Sequence, residues 1–125
     1  MPAATVLVVE DDPVILRLLE VNFELEGFRV VLAHDGVEGV EVAQAEHPDV
    51  IVSDIMMPRA SGIELVQTLK ADAATAAIPI VLLSAKAQTA DLKIGLDAGA
   101  DDYVTKPFEP LDLVERVNVL LARAR

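Results

Sequence analysis

The sequence predicts an α/β fold: an open, doubly wound parallel sheet covered by helices on both faces, made of five strand-then-helix units. Short runs of β-branched and aliphatic residues, such as Val50, Ile51 and Val52, alternate with longer segments in which apolar residues recur at helical spacing. The runs are continuously apolar, as in strands covered on both faces, and their alternation with helices implies right-handed parallel crossovers. Charged and hydroxyl residues follow these runs directly. In sheets of this kind ligands gather at the carboxyl ends of the strands.

The first strand is expected over 5–9 (TVLVV). Asp12 stands as an N-cap before Pro13, which suits the first helical position, and Gly27 can end the helix that follows. Within it Val14, Leu18, Val21 and Leu25 recur at helical spacing, and Ile15 and Leu19 widen the expected core face. Residues 28–33 (FRVVLA) form the second strand. The second helix covers 36–47, although Gly36 and Gly39 weaken it and its apolar face is thin. The third strand, 49–54 (DVIVSD), leads to a helix from Gly62 to about Lys70 carrying Ile63, Leu65, Val66 and Leu69. The fourth strand lies in 78–85 (IPIVLLSA), and a helix of about 89–98 precedes a short strand around 101–105. The last helix carries Leu113, Val117 and Leu120, flanked by Val114 and Leu121.

With 125 residues, 53% of them hydrophobic, the chain can build one core, so a single domain over 1–125 is expected. A formal charge of -11 argues against a grip on nucleic acid or an anionic membrane and suits a cation ligand or a basic partner. There is no cysteine, hence no disulfide or thiolate chemistry. The N-terminal stretch MPAATVLVVEDD has no signal-peptide pattern, and no apolar run approaches a membrane span. A soluble cytoplasmic protein is expected.

The residues placed at the ligand edge are Glu10, Asp11 and Asp12 after the first strand, Asp54 after the third, Ser84 after the fourth and Lys106 after the fifth. Clustered carboxylates repel one another unless a cation neutralises them, and oxygen donors without Cys or a nearby His favour a hard ion such as Mg²⁺. A lysine beside them stabilises an added anion. Carboxylate, metal, hydroxyl and ammonium at one point fit phosphoryl transfer, for which Asp is an accepted nucleophile. Blander roles exist for each residue alone. Asp54 can be a turn former, Ser84 a turn residue, Tyr103 a half-buried core ring, and Met56 and Met57 core fillers. His34 and His47 lack ligand partners at metal spacing, and the acids of DGVEGVEVAQAEHPD suit a solvated face.

The segments VLVVEDD, VSDIMMP, VLLSA and DDYVTKPF stand in one order and spacing, and through them essentially the whole chain resembles the response regulator receiver domains of two-component signalling. The resemblance implies a flavodoxin-like (βα)5 sandwich with strand order 2-1-3-4-5 and a cis bond between Lys106 and Pro107. It implies Asp54 as phosphoacceptor, with Mg²⁺ held by Asp11, Asp54, the backbone carbonyl of Met56 and, through water, Glu10. Asp12, one position further, is left a capping or outer-sphere role. Lys106 is implied as the phosphate partner, and Ser84 and Tyr103 as switch residues. The implied donor is a sensor histidine kinase or phosphotransfer protein, and the implied output is a changed face of the fourth helix, fifth strand and fifth helix.

Residues 99–117 resemble the receivers of winged-helix transcription regulators, which dimerise through that face. Asp102 and Arg116 match one of their salt-bridge pairs, whereas Leu92 stands where a basic residue would meet Asp112. Ser61 replaces an acid of many relatives in the loop before the third helix. Met56 and Lys86 occupy positions that tune dephosphorylation, and the bulk of Met56 implies a long-lived phosphoryl state. Two alternatives stay open: a phosphatase with an aspartate nucleophile, which needs a second acid where Met56 stands, and a pseudo-receiver that binds partners without phosphorylation.

Overall fold

The computed structural model describes residues 3–85 and 89–124, so Lys86 lies outside the described residues. Five strands, β1 (Thr5–Val9), β2 (Arg29–Ala33), β3 (Val50–Asp54), β4 (Ile80–Ser84) and β5 (Asp102–Thr105), alternate with five helices. These are α1 (Pro13–Leu25), α2 (Gly36–Glu46), α3 (Gly62–Ala71), α4 (Thr89–Asp97) and α5 (Pro110–Ala124). All pairings are parallel and the strand order is β2-β1-β3-β4-β5. The doubly wound sheet and its implied order are both present.

Side-chain alternation along the central strands divides the interior in two. Val6, Val8, Val50, Val52, Val81 and Leu83 face α1 and α5 in one cluster. Leu7, Val9, Ile51, Ile80 and Leu82 face Ala43 of α2 and Leu65, Val66 and Leu69 of α3 in the other. This is why β1, β3 and β4 carry uninterrupted apolar runs. The edge strands β2 and β5 are only partly buried.

The expected core face of α1 needs correction. Leu16, Leu19 and Phe23 are buried and Ile15 packs beside them, whereas Val14, Leu18 and Leu25 are exposed, Val14 by 76% and Leu25 by 78%. The helix carries two apolar stripes two residues apart, about 200° around its axis. Their spacings match, so periodicity alone does not choose between them. Phe23 decides, because its ring packs edge-on against Phe28 with centroids 5.2 Å apart.

The glycines of α2 also gain a reason. A Cβ on Gly39 would stand 2.7 Å from Leu65 Cδ1 and 3.0 Å from Val9 Cγ1, and one on Gly36 would stand 2.1 Å from the Ala60 carbonyl oxygen. The thin apolar face is a close-approach face, so tertiary packing outweighs poor helix propensity here. In α5, by contrast, Leu113, Val114, Val117, Leu120 and Leu121 are all buried as the pattern predicts.

Candidate functional site

Strand register brings the chemistry together. Val9 pairs with Ser53, so the next residues, Glu10 and Asp54, lie side by side at the carboxyl edge. Asp54 pairs with Leu83 and Ser84 with Thr105, which brings Ser84 and Lys106 to the same edge. The Glu10 amide donates to the Ala33 carbonyl at 3.1 Å, and the Lys106 amide donates to the Ser84 carbonyl at 2.7 Å. The Lys106–Pro107 bond is cis, as the resemblance implies.

Lys106 Nζ lies 2.9 Å from Asp54 Oδ2 and 3.1 Å from Glu10 Oε1. The second oxygen of Asp54 accepts the Ile55 amide at 2.9 Å, and Glu10 Oε2 accepts the Asp11 amide at 3.1 Å. Glu10 and Asp54 are buried and Asp11 is exposed. Each of the three acids offers an oxygen within 4.8 Å of the other two. Asp12 stands apart from them as the N-cap of α1, accepting the Val14 amide at 2.9 Å. That is its expected capping role.

Burial pushes the Glu10 carboxyl up to about 8, reinforced by its hydrogen bond and charge opposition with Asp54 and only partly offset by Lys106. Burial acts downward on the Lys106 ammonium, but its contacts with Asp54 and Glu10 outweigh that and raise it. Without a cation, then, one ammonium is shared by two buried carboxyls, one of which holds its proton near neutral pH. The three donors are all carboxylate oxygens, the set a hard divalent ion takes, and the cluster has the capacity to bind a metal.

The remaining expected residues lie around this centre. Ser84 is buried and its hydroxyl donates to the Ala85 carbonyl at 3.0 Å. Tyr103 is 41% exposed and lines a groove between β5 and α5, outside both core clusters. Met56 is 62% exposed, two residues past Asp54, while Met57 packs against the second core. Asp102 and Arg116 pair with each other within the chain at 3.1 Å. Leu92 packs against the second core cluster, and Asp112 is exposed in the first turn of α5. His34 contacts Glu38 at the surface and His47 closes α2 in a left-handed conformation.

A family model for the response regulator receiver domain matches residues 6–118. The chain belongs to the response regulator receiver domain family. This receiver domain is 42% identical over 118 residues to the DNA-binding dual master transcriptional regulator RpaA of Synechocystis, covering 94% of this chain and 49% of that protein. It is 42% identical over 119 residues to the alkaline phosphatase synthesis transcriptional regulatory protein PhoP of Bacillus subtilis, covering 95% and 49%. The chain thus spans about half the length of the curated relatives it matches.

Among solved structures, the Francisella response regulator 1452 receiver domain superposes with a TM-score of 0.89 at 38% identity, over 98% of this chain and 99% of that one. The receiver domain of the Pseudomonas aeruginosa sensor histidine kinase PA1611, solved with a magnesium ion coordinated in its active-site cleft, gives 0.89 at 30% identity over 96% and 98%. As a receiver domain of a two-component system, the chain is a phosphoacceptor switch with magnesium-dependent chemistry, a signalling element and not a turnover enzyme. Among the described residues no helix is long and apolar enough to cross a membrane.

One further contact at this edge has no signature in the sequence. Arg59, in the loop after β3, pairs with Asp35, the N-cap of α2, through two hydrogen bonds of 3.0 and 3.1 Å. The partners are 24 positions apart in separate loops, and no local pattern joins them.

Proposed function

We propose that residues 1–125 form a single receiver domain in which Asp54 accepts a phosphoryl group from a phosphohistidine on a sensor histidine kinase or phosphotransfer protein in the cytoplasm. The observation that carries this reading is a buried aspartate at a strand end, 2.9 Å from a lysine ammonium and clustered with two further acids. The N–P bond of the donor breaks as an Asp54 oxygen bonds phosphorus, and the N–P electron pair stays on the imidazole.

Asp11, Asp54 and the Met56 carbonyl are the proposed Mg²⁺ ligands, with Glu10 acting through water. When bound, the ion neutralises the acids and the charge of the incoming phosphoryl group. Lys106 gives up part of its pairing with Asp54 and Glu10 to hold a phosphoryl oxygen. The exposed side chain of Met56 hinders an in-line water, so the phosphoryl state is long-lived.

The phosphoryl oxygens draw the Ser84 hydroxyl away from the Ala85 carbonyl, and Tyr103 turns inward into the space left behind. The face of α4, β5 and α5 is repacked, and its proposed readers are an output partner or a second copy meeting through Asp102 and Arg116. The acidic charge makes direct nucleic-acid or membrane binding by this domain no part of the proposal.

Intact mass after incubation with acetyl phosphate and Mg²⁺ tests the reading. A gain of about 80 Da, the mass of one phosphoryl group, is expected for the native chain, with none for Asp54→Asn or without Mg²⁺. A folded protein that gains no adduct under any condition would favour the pseudo-receiver.

A further inference from the structure

The loop from β3 to α3, residues 55–61, carries Met56 and is held in an unusual way. Its base is closed by the Gly62 amide donating to the Ile55 carbonyl at 2.8 Å and the Ile55 amide donating to the Leu83 carbonyl at 3.2 Å. Its tip is a three-residue turn in which the Ala60 amide donates to the Pro58 carbonyl at 2.8 Å around Arg59. Arg59 sits at φ +69, the rare and strained sense of such a turn for a residue with a side chain. Strained backbone persists only where its surroundings over-determine it, and it concentrates at functional sites.

Two contacts supply that determination. The Arg59 guanidinium binds both oxygens of Asp35, and Asp35 Oδ1 also accepts the Glu38 amide at 2.8 Å, so the anchor is itself locked as the N-cap of α2. The absent Cβ of Gly36 lets the Ala60 carbonyl lie directly against the start of that helix. Asp35 stands two residues after Ala33, whose carbonyl receives the Glu10 amide. The Asp35–Arg59 bridge therefore ties the loop after Asp54 to the loop that follows β2, whose last carbonyl holds the Glu10 amide.

We infer that Asp35 and Arg59 are a positioning pair for the phosphorylation site. By clamping the tip of the 55–61 loop they hold the Met56 carbonyl in place for a divalent cation shared with Asp54. The inference rests on the proposed reading of Met56 and Asp54 as Mg²⁺ ligands. A plain surface ion pair contributes little to stability, but a bidentate pair on a strained turn beside a metal site acts on preorganisation. The two accounts predict opposite signs for one variant. Arg59→Ala removes a positive charge from the loop that follows Asp54, which by Coulomb attraction alone would tighten Mg²⁺. Loss of a clamp weakens it.

The test is titration calorimetry with MgCl₂, together with the Mg²⁺ dependence of phosphorylation by acetyl phosphate followed by intact mass. Arg59→Ala and Asp35→Asn, the latter retaining a capping oxygen for α2, are each expected to weaken Mg²⁺ binding by about three- to tenfold. That is at or below the roughly 10–100-fold range for groups bonded directly to metal ligands, as suits a pair that acts through the loop. The maximal phosphorylation rate at saturating Mg²⁺ should change by less than about twofold, Arg59→Lys should recover part of the affinity, and the double variant should be no worse than either single one. Tighter or unchanged Mg²⁺ binding in Arg59→Ala overturns the inference. So does a lowered melting temperature with the Mg²⁺ dependence intact, since that marks a structural brace only. If the native chain shows no Mg²⁺-dependent adduct, the reading of the site itself fails, a result distinct from a normal native chain with indifferent variants.

Discussion

Glu10 has no exposed surface and sits against a second carboxylate, so its ionisation sets the behaviour of the metal-free site. Its carboxyl is raised from 4.5 to about 8 by burial and by Asp54. A group raised in the folded state contributes stability in full below its unfolded value and loses it as pH climbs through the folded one. With metal chelated, stability should therefore fall between about pH 4.5 and pH 8, by on the order of a few kcal/mol. Glu10→Gln should flatten that slope and raise the melting temperature at pH 8, and added Mg²⁺ should stabilise the native chain more at pH 8 than at pH 6. Denaturant unfolding across the pH range reads each of these directly, and an unchanged slope in Glu10→Gln would assign the pH dependence to other groups.

At the scale of elements, α1 and α2 depart most from what their apolar patterns foretell. The α1 stripe of Leu16, Leu19 and Phe23 faces the sheet, leaving Val14, Leu18 and Leu25 outside. Phe23→Ala should cost about 3–5 kcal/mol, as for other buried aromatics, while Leu18→Ala should cost less than about 1 kcal/mol because it empties no cavity. Equal costs in urea unfolding would restore the face the periodicity suggests. Leu18 and Ile15 also line a groove of about 380 Å³ with Lys106, Pro107 and Phe108. The carboxyl edge itself was legible element by element, because every strand but β2 leads directly into its own acid, hydroxyl or lysine. Ser61 has a purely local account too: it caps α3 in a reciprocal capping box with Glu64.

Over the whole molecule, the proposed switch turns a charge change at Asp54 into a change of binding partner on the face of α4, β5 and α5. Asp102 and Arg116 neutralise each other within the chain, so pairing across a dimer requires them to exchange partners. Leu92 is turned toward the core and offers no cation to Asp112. Self-association should therefore be weak in the unmodified chain and rise on phosphorylation. Arg116→Ala should reduce the phosphorylated dimer by several-fold without slowing adduct formation. Light scattering at matched concentrations with and without acetyl phosphate tests this, and dimers equally strong in both states would separate assembly from the switch.

The fold class, the five strand–helix units and the residues of the phosphorylation edge were determined by the sequence alone. They rest on local signals: unbroken apolar runs, caps such as Asp12 before Pro13, and polar residues placed just past each strand. Only the tertiary structure decided the core face of α1, the need for glycine in α2, the upward shift of Glu10 and the Asp35–Arg59 bridge. Each of these depends on groups far apart in the chain, and the distance and burial that create the interaction exist only once the sheet has set its register.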